Sequence, residues 1–160
     1  MKKLFIPFIL AACLCACGFH LRGMVDIPTW LENVAVIAKD DNKELVDLLE
    51  SQLDGYKIKV ADDPTQAKYW IVIHYSTVKQ QIVSIGASTN PRQYQLMMTT
   101  EFSLKTREGQ LIKPARKIFV TRQFTSNNDR ILGSNEEESI LVNEMRQDTV
   151  MQIINRLSKK

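Results

Sequence analysis

Two groups of residues in this chain have types and spacing that could do chemistry. The first centres on Cys17, which closes the run Leu14-Cys15-Ala16-Cys17. A branched apolar residue, two small positions and a cysteine form a bacterial lipobox. There a signal peptide is cut and the thiol becomes the acylated N-terminus of the mature chain. Met1-Lys2-Lys3 is a positive n-region, and Leu4 to Ala16 is almost entirely apolar. That run matches a secretory h-region of about 7–15 residues and falls short of the roughly 20 needed to span a bilayer. Leu10-Ala11-Ala12-Cys13 is a second acceptable lipobox with a shorter h-region. An uncleaved anchor, or a plain signal peptide with an incidental cysteine, also stays open.

The second group is cationic. Lys105, Arg107, Lys113, Arg116, Lys117 and Arg122 fall within one short stretch that only Glu108 opposes. Arg92 and Arg130 lie outside it. Guanidinium forks match the oxygens of phosphate, so a basic cluster of this kind can hold an anionic ligand. A solvated hairpin tip, or a patch docked on an acidic partner, explains it equally well.

Other chemistry has little support. If Cys17 is the first mature residue, Cys13 and Cys15 are lost with the leader, and no disulfide, thiol nucleophile or cysteine metal site remains. His20 falls in the N-terminal segment and His74 in the middle of a predicted strand. The sequence holds no HExxH, GxSxG, Walker or paired Cys/His pattern. Asp40-Asp41, Asp62-Asp63 and Glu136-Glu137-Glu138 read as caps and solvated turns. No catalytic residue, metal ligand or cofactor is expected.

From Cys17 onward the chain has 144 of its 160 residues, enough for one domain with its own core. Without Lys2 and Lys3 the 21 basic residues become 19, against 18 acidic ones. That balance argues against a general nucleic-acid binder. Residues 1–16 are expected as signal peptide, 17–32 as a lipidated tether interrupted by Pro28, and 33–160 as a single domain.

The elements that position these groups follow from periodicity. Asn33–Ala38 alternates as a strand. Asp41 and Glu44 have capping-box spacing before a helix built on Leu45, Leu48, Leu49 and Leu53, with Gly55 as its stop. Residues 69–83 are rich in β-branched and aromatic side chains. There Tyr69, Ile71, Ile73 and Tyr75 are expected on one face, with Trp70, Val72, His74 and Ser76 on the other. Ser84 to Pro91 reads as a loop. Residues 92–106 alternate strictly, Tyr94, Leu96, Met98, Thr100, Phe102 and Leu104 against a polar set. Glu108-Gly109 marks a turn, and 115–125 returns as a strand carrying Ile118, Val120 and Phe124. Ser134 to Glu137 reads as a second capping box opening a helix toward Lys159. The expected fold is α+β. Two helices cover one face of a mostly antiparallel four-stranded sheet, in the order strand-helix-strand-strand-strand-helix. The uncovered face carries Gln93, Gln95, Thr99, Glu101, Ser103 and Lys105.

Cys17-Gly18-Phe19-His20-Leu21-Arg22 directly behind a lipobox resembles the start of the mature LPS-assembly lipoprotein LptE family. Tyr94-Gln95-Leu96-Met97-Met98-Thr99 and Asn143-Glu144-Met145 are similar to further family segments, and the element order agrees. The resemblance implies a triacylated (palmitate-bearing) lipoprotein of the Gram-negative outer membrane, a placement also favoured by Gly18 after the cysteine. It implies a heterodimer with the β-barrel LptD, in whose lumen the chain sits as a plug. There it assists barrel assembly, binds lipopolysaccharide and helps deliver it to the outer leaflet. The barrel contacts then fall on Gln93, Gln95, Thr99, Glu101 and Ser103. The lipopolysaccharide contacts fall among Arg92, Lys113, Arg116, Lys117 and Arg130. Near Ser134, where some relatives place a lysine, this chain has no base. A different reading of the same residues is a stand-alone lipoprotein that carries an anionic lipid or glycan.

Overall fold

A five-stranded sheet carries two helices on one of its faces. In the computed structural model, residues 27–28, 30–84, 92–126 and 131–158 are described. The elements are β1 (Asn33–Ala38), α1 (Lys43–Gly55), β2 (Lys59–Val60), β3 (Tyr69–Ser84), β4 (Arg92–Thr106), β5 (Leu111–Ser126) and α2 (Ile131–Ser158), with a 3-10 turn at Pro64–Gln66. The spatial order is β2-β1-β3-β4-β5. β1 runs parallel to both β2 and β3, while β3, β4 and β5 form an antiparallel meander. The expected sheet had four strands. The fifth, β2, has two residues, too few to leave a periodic signal.

β1 and β4 run over the residues their alternation predicts. β5 begins four residues earlier than predicted, because it runs through Pro114. Proline lacks a ladder N–H and is tolerated on an edge strand, and β5 is an edge. Gly109, at φ 91°, occupies the turn between β4 and β5, as Glu108-Gly109 led one to expect.

The predicted faces of β3 hold only to Ile73. The register shifts between Ile73 and Tyr75, so that Ile73 pairs with Phe102 but Tyr75 with Glu101. One extra residue, His74, reverses the alternation beyond it. Tyr75 therefore leaves the face of Ile71 and Ile73. Ser76 joins that face, and its hydroxyl meets Thr100 Oγ1 at 2.7 Å.

α1 places Leu45, Leu49 and Leu53 in the core at four-residue spacing. Its first helical residue is Lys43, so Asn42 rather than Asp41 stands at the N-cap, and it makes no side-chain capping bond. The helix does not stop by a left-handed Gly55. Lys57 takes that conformation, at φ 62°. Its N–H donates to Asp54 O at 2.7 Å and the Ile58 N–H to Leu53 O at 3.1 Å, the two bonds of a Schellman motif. Ile58 and Leu53 are both buried and make its usual apolar closure. Asp63 caps the 3-10 turn by accepting from the Thr65 N–H at 2.9 Å.

α2 starts at Ile131, so Ser134 lies inside the helix instead of capping it. Met145, Thr149, Val150, Ile153, Ile154 and Leu157 form its buried arc. Arg146, beside that arc, pairs with Glu44 of α1. Both helices pack on Val34, Ile71, Ile73, Leu96, Met98, Phe102, Leu104, Ile118 and Val120, so the core lies between one sheet face and the helices. It extends ahead of β1. Leu31 is 1 % exposed, and Trp30 stands edge-on to Tyr69 with ring centroids 5.3 Å apart.

Candidate functional site

The sheet face opposite the helices is the first feature of the surface. Beyond the bulge at His74, each β4 residue on this face has a neighbour on both sides. Thr99 lies between Thr77 and Phe119, Met97 between Lys79 and Thr121, and Gln95 between Gln81 and Gln123. Ile118 and Val120 of β5 point into the core, so the pleat turns Phe119 outward, where it is 61 % exposed. An aromatic ring thus stands among Thr, Gln, Lys and Met side chains, with Tyr75 on the same face.

The predicted residues of this face are unevenly available. Gln93 is exposed, while Gln95, Thr99 and Glu101 are half-buried. Ser103 is only 4 % exposed. Its hydroxyl is 2.9 Å from His74 Nε2, so it serves the sheet's internal packing and offers no contact surface. Lys117 lies on this open face, not with Lys113 and Arg116. Its ammonium sits 3.9 Å from Glu101 Oε2 and 5.9 Å from the Tyr75 ring centroid. The Tyr75 hydroxyl, then its charge and that of Glu101, hold Lys117 above its ordinary pKa.

The second feature is a cleft of about 340 Å³ at the hairpin end of the sheet. β5 contributes Lys113 and Arg116, the last turn of α2 contributes Arg156, and Pro28 and Trp30 come from the segment ahead of β1. Phe102, Ile112 and Pro114 complete the lining. Lys113 Nζ donates to Arg156 O at 3.0 Å, and Arg156 Nη1 donates to Lys117 O at 2.8 Å. A lysine on the carbonyls of a helix C-terminus also suits the helix dipole. Among the described residues lining the cleft there is no carboxylate. Burial, and then the charge of Arg116, push the Lys113 ammonium below its ordinary pKa.

The other members of the predicted basic cluster are dispersed. Lys105 sits over the Trp70 ring, 5.0 Å from its centroid. Arg107 donates to Thr65 O at 3.2 Å and lies 3.6 Å from Glu108. Arg122 pairs with Asp148 and Glu144 on α2. Arg92 opens β4 opposite Ser126, at the far end of the sheet from the cleft. Arg130 and Cys17 lie outside the described residues. Arg156 and Trp30 were not singled out by the sequence. Arg156 is an ordinary basic residue in a last helical turn, and only the tertiary fold brings it beside β5. Among the described residues no group of His, Cys, Asp and Glu could hold a metal ion, and no helix is long and apolar enough to cross a membrane.

Known proteins give this architecture a context. A family described as "LptE: Lipopolysaccharide-assembly" matches residues 31–157. The LPS-assembly lipoprotein LptE of Pectobacterium atrosepticum is 26% identical over 147 residues, covering 88% of this chain and 76% of that protein. The same protein of Yersinia enterocolitica is 28% identical over 142 residues, covering 88% and 68%. Among solved structures, lipoprotein B of Nitrosomonas europaea superposes with a TM-score of 0.72 at 24% identity, covering 88% of this chain and 90% of that one. A minor lipoprotein of Acinetobacter baumannii gives 0.70 at 20% identity, covering 82% and 93%. These structures share the fold; the family match and the sequence relatives carry the assignment. The chain belongs to the LptE family of lipopolysaccharide-assembly lipoproteins.

Proposed function

We propose that this chain is a lipid-anchored component of the outer membrane that partners the β-barrel LptD, plugs its lumen, assists its assembly and helps deliver lipopolysaccharide to the outer leaflet. The observation that carries the proposal is the open sheet face, with Phe119 exposed on its edge strand β5. A barrel lumen is polar, so a plug must meet it through hydrogen-bonding side chains. Gln93, Gln95, Thr99, Thr121 and Gln123 supply these on one continuous surface. A single exposed aromatic within such a surface has the character of an interface anchor. The role proposed is that of a binding and assembly partner rather than an enzyme.

Acylation of Cys17 belongs to the same proposal. Three chains hold a protein on a membrane where one holds it marginally, and anchoring raises the domain's effective concentration near the barrel. Lipopolysaccharide contact belongs to it as well. The candidates Arg92, Lys113, Arg116, Lys117 and Arg130 do not act as one site. Arg92 and the cleft stand at opposite ends of the sheet, and Lys117 is engaged on the other face.

Depletion of the chain in its own cells tests the reading. Surface lipopolysaccharide and correctly assembled barrel are both expected to fall. Normal levels of both after depletion would rule the proposal out.

A further inference from the structure

We propose that the edge of β3 beyond its bulge is a self-pairing surface. Two copies of this chain join there, β3 against β3 and antiparallel, about a two-fold axis at Gln80, so that their five-stranded sheets become one. The inference concerns copies not held by a barrel, and it does not rest on the barrel reading.

Two observations open this edge. The first is that β1 stops early. It pairs with β3 only from Tyr69 to Ile73, whereas β4 follows β3 on to Ser84. The Lys39 N–H donates to Ile73 O at 3.0 Å, and the chain then turns away into α1. Among the described residues, β3 from Tyr75 onward therefore has a strand on one side only. The second is that the helices leave the same stretch bare. Val78 and Ile82 lie across from Met98 and Tyr94, on the helix side of the sheet. They are 40 % and 51 % exposed, while Ile71 and Ile73 earlier on that side are 0 %.

An open edge is a template for strand pairing unless something blocks it. The edge formed by β5 is blocked. Pro114 interrupts it, and Arg156 and Arg122 donate to the carbonyls of Lys117 and Thr121. The β3 edge has no proline between Tyr75 and Ser84, and Lys79 is its one charged residue.

The residues of this edge fit a second copy of themselves. Pairing that puts Gln80 opposite Gln80 sets Val78 against Ile82 on the helix side. On the other side it sets Lys79 against Gln81 and Thr77 against Val83. Both bare aliphatic side chains then gain an apolar cross-strand partner, and each lysine faces an amide. Moving the axis to Lys79 would oppose the two lysines, and moving it to Gln81 would set Gln80 against Ile82. The Gln80 axis matches apolar groups and charge together, and it uses one patch twice, as a two-fold contact must. A single strand pair is a small interface. Acylation at Cys17 would confine copies to one leaflet and raise the concentration at which they meet.

Disulfide trapping in membranes tests this, with the full chain produced in excess of any barrel. Cys17 is blocked by acylation in the proposed mature chain, so an introduced cysteine is its free thiol. Directly opposed residues of an antiparallel pair have Cα atoms about 4.5–5.5 Å apart, within disulfide reach. Gln80→Cys is expected to convert most of the chain to a covalent dimer under mild oxidation. Val78→Cys and Ile82→Cys should cross-link when the two variants are produced together. Val78→Cys alone should not, because its own copy then stands about 13 Å away, four residues along the opposing strand. Ile82→Lys should remove the Gln80→Cys dimer while the melting temperature stays unchanged. Monomer alone with Gln80→Cys, equal cross-linking of Val78→Cys by itself, or a dimer undiminished by Ile82→Lys would overturn the proposal. So would a Gln80→Cys cross-link to a different protein in place of the dimer, which would assign the edge to that partner.

Discussion

Phe119 of β5 lies directly across from Thr99 of β4 on the face of the sheet opposite α1 and α2. The neighbours Ile118 and Val120 are 0 % and 4 % exposed, whereas Phe119 is 61 % exposed. A lone exposed apolar residue is ordinary on a protein surface. This one is notable for its surroundings: Thr99 across from it on β4, Lys117 and Thr121 two residues away on the same face of β5, and a family described as lipopolysaccharide-assembly.

The link between helix α2 and the sheet edge should be electrostatic as well as apolar. Arg122 pairs with Asp148, and its Nε lies 3.9 Å from Glu144 Oε2, with side chains 34–54 % exposed. A double-mutant cycle with Arg122→Gln and Asp148→Asn should give a coupling of about 0.5–1 kcal/mol. Raising the salt should shrink it. Urea unfolding measures this, and zero coupling at low salt would show that the pair contributes nothing.

Glu50 gives a pH-dependent prediction. Burial first, then the charges of Asp47 and Asp62, raise its pKa above 4.5. An acid raised in the folded state binds more protons there than when unfolded. Its contribution therefore favours folding at low pH and is lost as pH rises from about the unfolded value through the folded one. Glu50→Gln should raise the melting temperature at neutral pH, and the gain should fade as pH falls toward 4.5. A gain that is constant across this range would remove charge as its cause.

Lys57 stores a removable cost. It is the left-handed residue of the Schellman motif after α1, at φ 62°, a conformation that costs a side-chain-bearing residue about 1 kcal/mol or more. Lys57→Gly should stabilise the domain by up to about 1 kcal/mol in urea unfolding, after glycine's greater entropy loss is subtracted. A destabilised variant would mean that the lysine side chain makes a contact worth more than the strain.

The sequence carried the fold where one periodicity ran unbroken. β4 alternates from Arg92 to Thr106 and folds that way, and the leucines of α1 enter the core at their expected spacing. It failed where a single residue changed the phase. His74 is a bulge, and no residue type announces it, so Tyr75 and Ser76 exchanged faces. The basic cluster failed for the same geometric reason. Arg116 and Lys117 are adjacent in sequence, and the pleat sends them to opposite sides of the sheet. The cleft also needed Arg156 and Trp30, which are distant in sequence from β5 and meet it only through packing.

The most direct test of the account is recovery of the barrel with the chain from solubilised outer membranes, identified by mass spectrometry. The natural chain should bring LptD with it in stable amount. Phe119→Glu should cut that recovery about tenfold or more, as loss of an interface anchor does, while the purified variant melts normally. Ile140→Glu, at a residue 56 % exposed on the helical layer, should reduce it less. Absence of the barrel with the natural chain, or full recovery with Phe119→Glu, would contradict the open sheet face as the docking surface.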